Sequence, residues 1–241
     1  MPIRERTAPE VDALGPLDAI PSLSDRVYEV LKRHLAERRL APGSKLSVPR
    51  LARQLDVSRT PVKEALERLV RDGLVTTLPK RGAFVAILRT QDVDEIYQMR
   101  EMLEGLAARL AAPAVDEPLV HRLRDLLEVH RAAVERDDLD AHVSADVEFH
   151  RAIRQRAGNR RLIHALDILQ DQIRIVFKTS AAIPGRMRKA VEEHRAILAA
   201  LERRDPDAAE AAARTHIRRI REAVLAHLDA GHLQGAGQVG R

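Results

Sequence analysis

The sequence predicts a mainly α-helical protein with an N-terminal winged helix-turn-helix followed by an all-α helical bundle. Aromatic residues make up 2% of the chain and hydrophobic residues 45%, so the core is built from Leu, Ala, Val and Ile. That composition favours packed helices over a large sheet. After Thr90, apolar residues recur at helical spacing and no convincing strand appears. The stretch 51–85 instead has the pattern of a helix, a turn, a second helix and a hairpin.

These patterns divide the 241 residues into four segments. They are a flexible arm rich in proline, the winged helix-turn-helix, a helical effector-binding and dimerisation domain, and a flexible tail rich in glycine, over 1–21, 22–88, 90–230 and 231–241. Within the second segment, a first helix is predicted over 24–39, because it ends before Pro42 and Gly43.

Caps and apolar faces predict the two helices of the helix-turn-helix. Ser47 is a favourable N-cap, and Pro49 falls in the first turn, where a missing N–H costs little. The turn after this helix needs a left-handed residue, a conformation that Asp56 adopts less readily than glycine. Ser58 precedes the second helix, whose apolar face is formed by Val62, Ala65, Leu66 and Leu69.

The polar face of the second helix and the hairpin point to DNA. Arg59, Thr60 and Lys63 crowd the start of that helix, the part that enters the major groove in helix-turn-helix proteins. Strands over 74–78 and 83–87 flank a cationic tip suited to a phosphate or minor-groove contact, formed by Pro79, Lys80, Arg81 and Gly82. A chance amphipathic helix pair would lack this ordered set of basic features.

Charge is concentrated on the same segment. Residues 22–89 contain 15 Lys and Arg against 7 Asp and Glu, whereas residues 90–241 contain 24 against 25. Clustered positive charge raises affinity for polyanions through counterion release. There is no cysteine, no apolar leader and no run that resembles a membrane span. The sequence therefore predicts a soluble, cytoplasmic, nucleoid-associated protein without a membrane partner.

Beyond the wing, apolar periodicity predicts six helices separated by turn-forming residues. They are expected over 90–112, 117–136, 139–157, 160–180, 185–204 and 207–230. An antiparallel bundle is the simplest way to bury their apolar faces.

One carboxylate and three imidazoles stand out in the bundle. Asp146 and His150 are four residues apart and share one helix face, while His194 and His216 interrupt or flank apolar stripes on two later helices. Such a set suits Zn, Ni, Mn or Fe. A single inward histidine is more often a hydrogen-bonded core residue, but the joint pattern, with the remaining histidines expected to be mostly exposed, favours a metal site.

The chain resembles the GntR family of bacterial transcription regulators, in the FadR-like branch with a C-terminal FCD ligand-binding domain. The resemblance extends from about residue 23 to residue 227. Its motifs are VSRTPVKEALERLVRDGLV, LPKRGAFV, YQMREMLEGLAA, DVEFHRAI, AGNRRL, EEHRAILAAL and THIRRI.

The resemblance implies a set of DNA contacts. They fall on Arg59, on Lys63, where the family more often has arginine, on Thr60 near the phosphates, and on the wing tip at Lys80, Arg81 and Gly82. The family usually has an arginine where this chain has Pro49. Either the adjacent Arg50 replaces that contact or operator recognition differs there.

The resemblance also implies a metal and an effector. The family's metal ligands match Asp146, His150, His194 and His216 without a gap. Its effectors are small carboxylates or sugar acids that complete the coordination of the metal. Arg100 matches the arginine of an R-x-x-L-E motif and could hold the effector carboxylate, although a salt bridge with Glu104 is an equal alternative. Arg174 is a second candidate.

The function expected from these features is ligand-responsive transcription regulation. A homodimer would bind a pseudo-palindromic double-stranded DNA operator, since two-fold protein symmetry matches two half-sites. The protein is therefore not expected to be an enzyme, and two other classes are kept as alternatives. The Asp and His residues could form the centre of a metal-dependent enzyme, or the protein could be an architectural DNA-binding protein whose bundle only dimerises.

Overall fold

The computed structural model describes residues 21–176 and 180–230. The predicted arm, apart from Pro21, and the predicted tail lie outside these residues. The N-terminal part consists of α1 Leu23–Ala36, β1 Lys45–Leu46, α2 Val48–Leu55, α3 Arg59–Arg71, β2 Val75–Leu78 and β3 Gly82–Val85. The predicted combination of a winged helix-turn-helix and a helical C-terminal part is confirmed.

Helix α3 forms the centre of the N-terminal core. Val62 and Leu69 on its apolar face are fully buried, and they pack with apolar residues of α1, α2 and the strands. Ser47 and Ser58 occupy the predicted N-cap positions, but neither side chain accepts a capping hydrogen bond. The apolar face of α3 therefore fixes this helix more firmly than its cap does.

The turn between α2 and α3 takes the backbone conformation expected from the sequence. Asp56 ends α2 with φ 52° and ψ 50°, in the left-handed region. An L-residue there brings Cβ close to the backbone, and aspartate tolerates this better than most residues but worse than glycine.

Replacing Asp56 with glycine is expected to raise the free energy of unfolding by about 0.5–1 kcal/mol, because the left-handed strain disappears. Asp56→Ala is the matched control, since alanine keeps the strained Cβ and should be less stable than the wild-type protein. Urea denaturation of the three proteins measures the difference. Equal stability of the glycine and alanine variants would contradict this account of the turn.

The wing contains a third strand that the predicted two-stranded hairpin lacks. The sheet order is β1-β3-β2, and both pairings are antiparallel. Strand β1 has only two residues and pairs Lys45 with Phe84, so nothing in its local sequence marks it as a strand. The two predicted strands are confirmed, but β2 begins one residue later than predicted, and β3 begins one residue earlier and ends two residues earlier. Their register, from Val75 with Val85 to Leu78 with Gly82, exposes the cationic tip.

The C-terminal part is entirely helical within the described residues. It consists of α4 Thr90–Ala111, α5 Glu117–Glu135, α6 Leu139–Ala157, α7 Arg160–Val176, α8 Arg186–Glu202 and α9 Pro206–Asp229. Five helices match the predicted ranges within two residues. The end of the predicted helix over 160–180 differs, because residues 177–179 are outside the described part and Ser180 begins a 3-10 turn.

Aspartate side chains explain where three of these helices begin. Asp116, Asp138 and Asp205 each accept a hydrogen bond from a backbone N–H in the first turn of α5, α6 and α9. An N-cap of this kind stabilises a helix by about 1 kcal/mol. Three of the turn-forming breaks between the predicted helices therefore also contain the start signal of the next helix.

Helices α4 and α9 pack closely along each other. Gly105 on α4 permits this approach, since a Cβ there would lie 2.5 Å from Cγ of Arg214 on α9. The adjoining core of α5, α6 and α8 includes Phe149, Leu123 and Leu201, each at most 1% exposed. Over the described residues, no helix is long and apolar enough to cross a membrane.

Helix α7 joins the two parts of the chain. Ile175 is 2% exposed and belongs to the core of the N-terminal part. Gln172 donates a hydrogen bond of 3.0 Å from Nε2 to the backbone oxygen of Asp72, at the end of α3. Helix α7 therefore contacts both the helical bundle and the N-terminal part of the chain.

Candidate functional site

The predicted DNA contacts all lie on the exposed surface of the N-terminal part. Arg59, Thr60 and Lys63 face outward from α3, opposite its buried side. Arg50 at the start of α2 and the wing-tip residues Lys80, Arg81 and Gly82 are also exposed. None of the five cations among these residues forms a salt bridge with any described residue, so their charges are available to phosphates.

The four candidate metal ligands converge from three helices. His150 on α6, His194 on α8 and His216 on α9 point their Nε2 atoms at one another, with separations of 3.1 Å for two pairs and 3.3 Å for the third. Asp146 on α6 places Oδ1 3.6 Å from Nε2 of His194. One donor atom from each of the four residues lies within 4.8 Å of every other.

The spacing of these donors fits one metal ion. Nitrogen atoms that bind one ion at about 2.0–2.1 Å lie about 2.8–3.4 Å apart when the bond angles are between octahedral and tetrahedral. The three Nε2 separations fall in this range. His194 is fully buried and His216 is 1% exposed, whereas the side chain of Asp146 is 35% exposed and leaves one side of the cluster open.

The positions of the protons on the imidazole rings also favour a bound metal ion. Nδ1 of His216 lies 2.8 Å from Glu193 Oε2, a carboxylate that only accepts, so His216 carries its proton on Nδ1 and a lone pair on Nε2. The remaining protons of His150 and His194 cannot satisfy all three contacts among the Nε2 atoms at once. A cation can accept all three lone pairs.

Burial keeps the imidazoles in the form that binds metals. It lowers the pKa of His150 to about 4 and holds the pKa of His194 well below its usual value, and neighbouring histidines act in the same direction on His194. Neutral imidazole is the ligand form, so both side chains are ready to coordinate at neutral pH.

A cavity of about 420 Å³ opens beside this cluster. Asp146 and His150 form part of its wall together with both candidate effector residues, Arg100 and Arg174. The wall carries five cations against three carboxylates, namely Lys32, Arg100, Arg151, Arg154 and Arg174 against Asp146, Asp167 and Asp171. The cavity therefore suits a small anion.

The environment of Arg100 fits both alternatives that the sequence leaves open, a salt bridge with Glu104 and a contact with an effector carboxylate. Its Nη2 lies 3.7 Å from Glu104 Oε1, which is an ion pair with poor hydrogen-bond geometry. Its Nε is buried without a hydrogen-bond partner in the described structure. Glu104 instead binds Arg154 through two hydrogen bonds. Arg100 thus keeps a donor for a ligand, whereas Arg174 lies 3.9 Å from Asp171 on its own helix.

The expectation that the remaining histidines are mostly exposed is wrong for two of them. His130 and His142 are each 1% exposed, and their rings stack with centroids 3.9 Å apart. Nδ1 of His130 also lies 3.3 Å from Nδ1 of His194. A local signal was present, because His130 continues the stripe of Leu123 and Leu127 on α5 and His142 lies four residues before Asp146.

Sequence reasoning also missed Glu193, which orients His216, and Lys32, which reaches the cavity from α1. Glu193 is next to His194 in the chain, but adjacent helical residues point in different directions. The sequence around Lys32 does not indicate its place in the cavity, because the other residues that line the cavity are far away in the sequence.

Comparison with known proteins gives two family matches. The protein family described as "FCD domain" matches residues 95–219, and the family described as "Bacterial regulatory proteins, gntR family" matches residues 23–85. Together they include every candidate DNA, metal and effector residue.

Relatives and solved structures agree with these matches. The HTH-type transcriptional regulator YdfH of Escherichia coli O6:H1 is 30% identical over 211 residues, which are 86% of this chain and 91% of the relative. The HTH-type transcriptional repressor RspR of Escherichia coli K12 is 29% identical, with the same two coverages of 86% and 91%. The solved structure of Escherichia coli McbR/YncC has a TM-score of 0.70 at 29% identity and covers 88% of this chain and 100% of that chain.

Proposed function

Because the chain belongs to the GntR family of transcription regulators and carries an FCD domain, we propose that it is a regulator switched by a small organic acid. The acid would bind in the cavity beside a metal held by Asp146, His150, His194 and His216. The observation that carries this proposal is the convergence of three Nε2 atoms at the wall of a cationic cavity.

The protein's own residues define what such a site does. Asp146 and the three imidazoles would hold a divalent ion, with Zn, Ni, Mn and Fe all compatible with the donor set. Bound there, the ion supplies a localised positive charge and a Lewis-acidic position for a carboxylate. Arg100 adds the unpartnered Nε–H, and Arg174 adds a second guanidinium on the facing helix. Together these groups would orient a small carboxylate or sugar acid.

The exposed basic face is the proposed output. Arg59, Thr60 and Lys63 would enter the major groove, while Lys80 and Arg81 would bind the phosphates or the minor groove beside it. Arg50 is exposed and directly follows Pro49, the residue that stands where the family usually has an arginine.

A homodimer is proposed from an apolar surface on α4. Met99, Met102, Leu106 and Leu110 are 54%, 53%, 39% and 37% exposed and follow one another at helical spacing. Contiguous exposed apolar residues of this kind mark interaction surfaces. A second copy of the chain would cover this α4 stripe and place two basic faces on two half-sites.

Introducing glutamate at Met102 and Leu106 together is expected to weaken the dimer at least about 100-fold, because two charges would be buried in the interface. Sedimentation velocity should then show a monomer of 27.0 kDa where the wild-type protein sediments as a dimer. Val129→Glu is the control, since Val129 is 47% exposed on α5, outside the α4 stripe, and should leave the dimer intact. A dimeric double variant would contradict the proposed interface.

The other two classes separate clearly from this proposal. The family and the relatives are transcription regulators, and the chain is not an enzyme. An architectural protein would bind DNA with no response to an acid or a metal. The proposal is tested by selecting operator DNA from a random pool with the full chain, and then titrating the complex with a panel of small carboxylates and sugar acids. A selected pseudo-palindrome whose binding one acid changes supports the proposal; indifference to every acid favours the architectural role.

A further inference from the structure

The wall of the cavity comes from both parts of the chain. Lys32 belongs to α1 of the DNA-binding segment, yet it lines the cavity together with Asp146 and His150. Its Nζ lies 2.8 Å from Asp171 Oδ2, and the side chains of Lys32 and Asp171 are 27% and 11% exposed. A residue of the DNA-binding segment is therefore held at the edge of the proposed ligand site by one partly buried ion pair.

Lys32 does not line every space that the candidate metal ligands line. A smaller cavity of about 50 Å³, called the extension here, shares six wall residues with the main cavity, and Tyr97 and Ile220 also form part of its wall. Asp146, His150 and Arg100 line both the extension and the main cavity, whereas Lys32 lines only the main cavity. A ligand in the main cavity can therefore meet Asp146 and His150 on one part of the wall and Lys32 on another.

Carboxylates on α7 form ion pairs with three of the five cations that line the cavity. Asp171 pairs with Lys32 and lies 3.9 Å from Arg174, and Asp167 lies 3.8 Å from Arg154. Burial raises the pKa of Asp171, and the hydrogen bond from Lys32 offsets this only in part. A ligand anion would therefore compete with the α7 carboxylates for the same cations.

We infer that the cavity binds a small acid with two anionic groups. One group lies at the cluster of Asp146 and the three histidines, and the other binds Lys32. On binding, the ligand replaces Asp171 as the ion-pair partner of Lys32. The ligand class is a dicarboxylate or a sugar diacid. This inference rests on the proposed function, because it assigns the inner anionic group to the metal-bearing end of the cavity.

The exchange links the ligand to the recognition helix. Breaking the pair between Lys32 and Asp171 removes one of the contacts that fasten α7 to α1. The next residue of α7, Gln172, binds the backbone oxygen of Asp72, which directly follows α3. Asp72 also accepts a hydrogen bond of 2.7 Å from Tyr28 on α1. A shift of α7 therefore reaches the helix that carries Arg59 and Lys63.

Two variants that break the same ion pair should have opposite effects on ligand affinity. Lys32→Met removes the ligand contact and should weaken binding of the best dianionic acid by about 10-fold or more. Asp171→Asn removes the competitor and should tighten binding of the same acid. If the pair were only structural, both variants would change the affinity in the same direction.

The measurement is calorimetric titration of the zinc-loaded full chain with dicarboxylates from malonate to adipate, with galactarate, and with monocarboxylates of matched length. Lys189→Met is the charge-matched control, because Lys189 is exposed on α8 and does not line this cavity. The inference predicts that a dianionic acid binds best, that Lys32→Met and Asp171→Asn move its affinity in opposite directions, and that Lys189→Met does not change it.

The outcomes separate this inference from the proposed function. Equal binding of the best acid to the wild-type protein and to Lys32→Met overturns the inference, as does a monocarboxylate that binds as tightly as any diacid. In both cases, the proposed metal-dependent site would still be supported if the His194→Ala protein no longer bound the acid. If no acid binds the zinc-loaded wild-type protein, the proposed function fails and the inference fails with it.

Discussion

Replacing His194 with alanine is expected to remove the bound metal and the response to acid while leaving operator binding in place. His194 is the central residue of the proposed metal site, since its Nε2 lies 3.1 Å from His150 Nε2, 3.3 Å from His216 Nε2 and 3.6 Å from Asp146 Oδ1. Residues that only orient a metal ligand contribute about 10–100-fold to affinity, so loss of the ligand itself should cost at least about 100-fold. Metal content measured by plasma mass spectrometry should fall from one ion per chain to a trace.

His164→Ala is the matched control for this variant, because His164 is exposed on α7 and the same atoms are removed there. Since His194 is fully buried, its alanine variant also leaves a cavity, and circular dichroism must show that the fold persists. His216→Ala, on another helix, provides a second test with a different packing environment. If His194→Ala and His216→Ala both kept one metal ion per chain, the proposed metal site would be wrong.

Replacing Arg59 with alanine should have the second large effect, a loss of operator affinity of about 10–100-fold. Arg59 is exposed at the start of α3, where an arginine can donate two hydrogen bonds to a guanine, a contact that contributes about 1–3 kcal/mol of discrimination. The preference at one base pair should relax together with the affinity. Fluorescence anisotropy with the selected operator and its single-base variants measures both.

Two comparisons make this result specific. Arg71→Ala removes the same side chain from the exposed far end of α3 and should leave affinity nearly unchanged. Lys80→Ala at the wing tip should weaken all sequences alike and reduce the salt dependence by about one phosphate contact. An Arg59→Ala protein that keeps wild-type affinity and base preference would remove α3 from the proposed interface.

Local sequence predicts the helices well because their start signals are local. Asp116, Asp138 and Asp205 cap α5, α6 and α9 within three residues of their partners, so the breaks in the sequence give the helix starts directly. Strand β1 lacks such a signal. Its two residues form a strand only because β3 lies beside them, with Lys45 opposite Phe84.

The four candidate metal ligands could be predicted as a set but their convergence could not. The spacing of Asp146 and His150 places both on one helix face, and apolar neighbours place His194 and His216 towards the core. The Nε2 separations of 3.1 and 3.3 Å depend on how α6, α8 and α9 cross, which periodicity does not contain. His130 continues the buried stripe of Leu123 and Leu127, and His142 lies four residues before Asp146, yet neither histidine is predicted from the sequence to be buried.

The contact between Lys32 and Asp171 lies beyond local sequence reasoning altogether. On α1, Lys32 looks like an ordinary half-exposed cation, and on α7, Asp171 looks like an ordinary acidic residue. Only the packing of α7 against α1 makes them a pair at the edge of the cavity. This long-range packing also connects the predicted input site with the predicted output surface.

The proposed function requires that the cavity beside the candidate metal ligands controls operator binding. The measurement that tests this is the operator affinity of the wild-type protein with and without saturating acid, in metal-loaded form, after chelation and after metal is restored. We expect the acid to change the operator dissociation constant about 10-fold or more in the loaded and restored protein and to have no effect after chelation. The same shift in the chelated protein, or no shift in any form, would show that the cavity and its metal do not control operator binding.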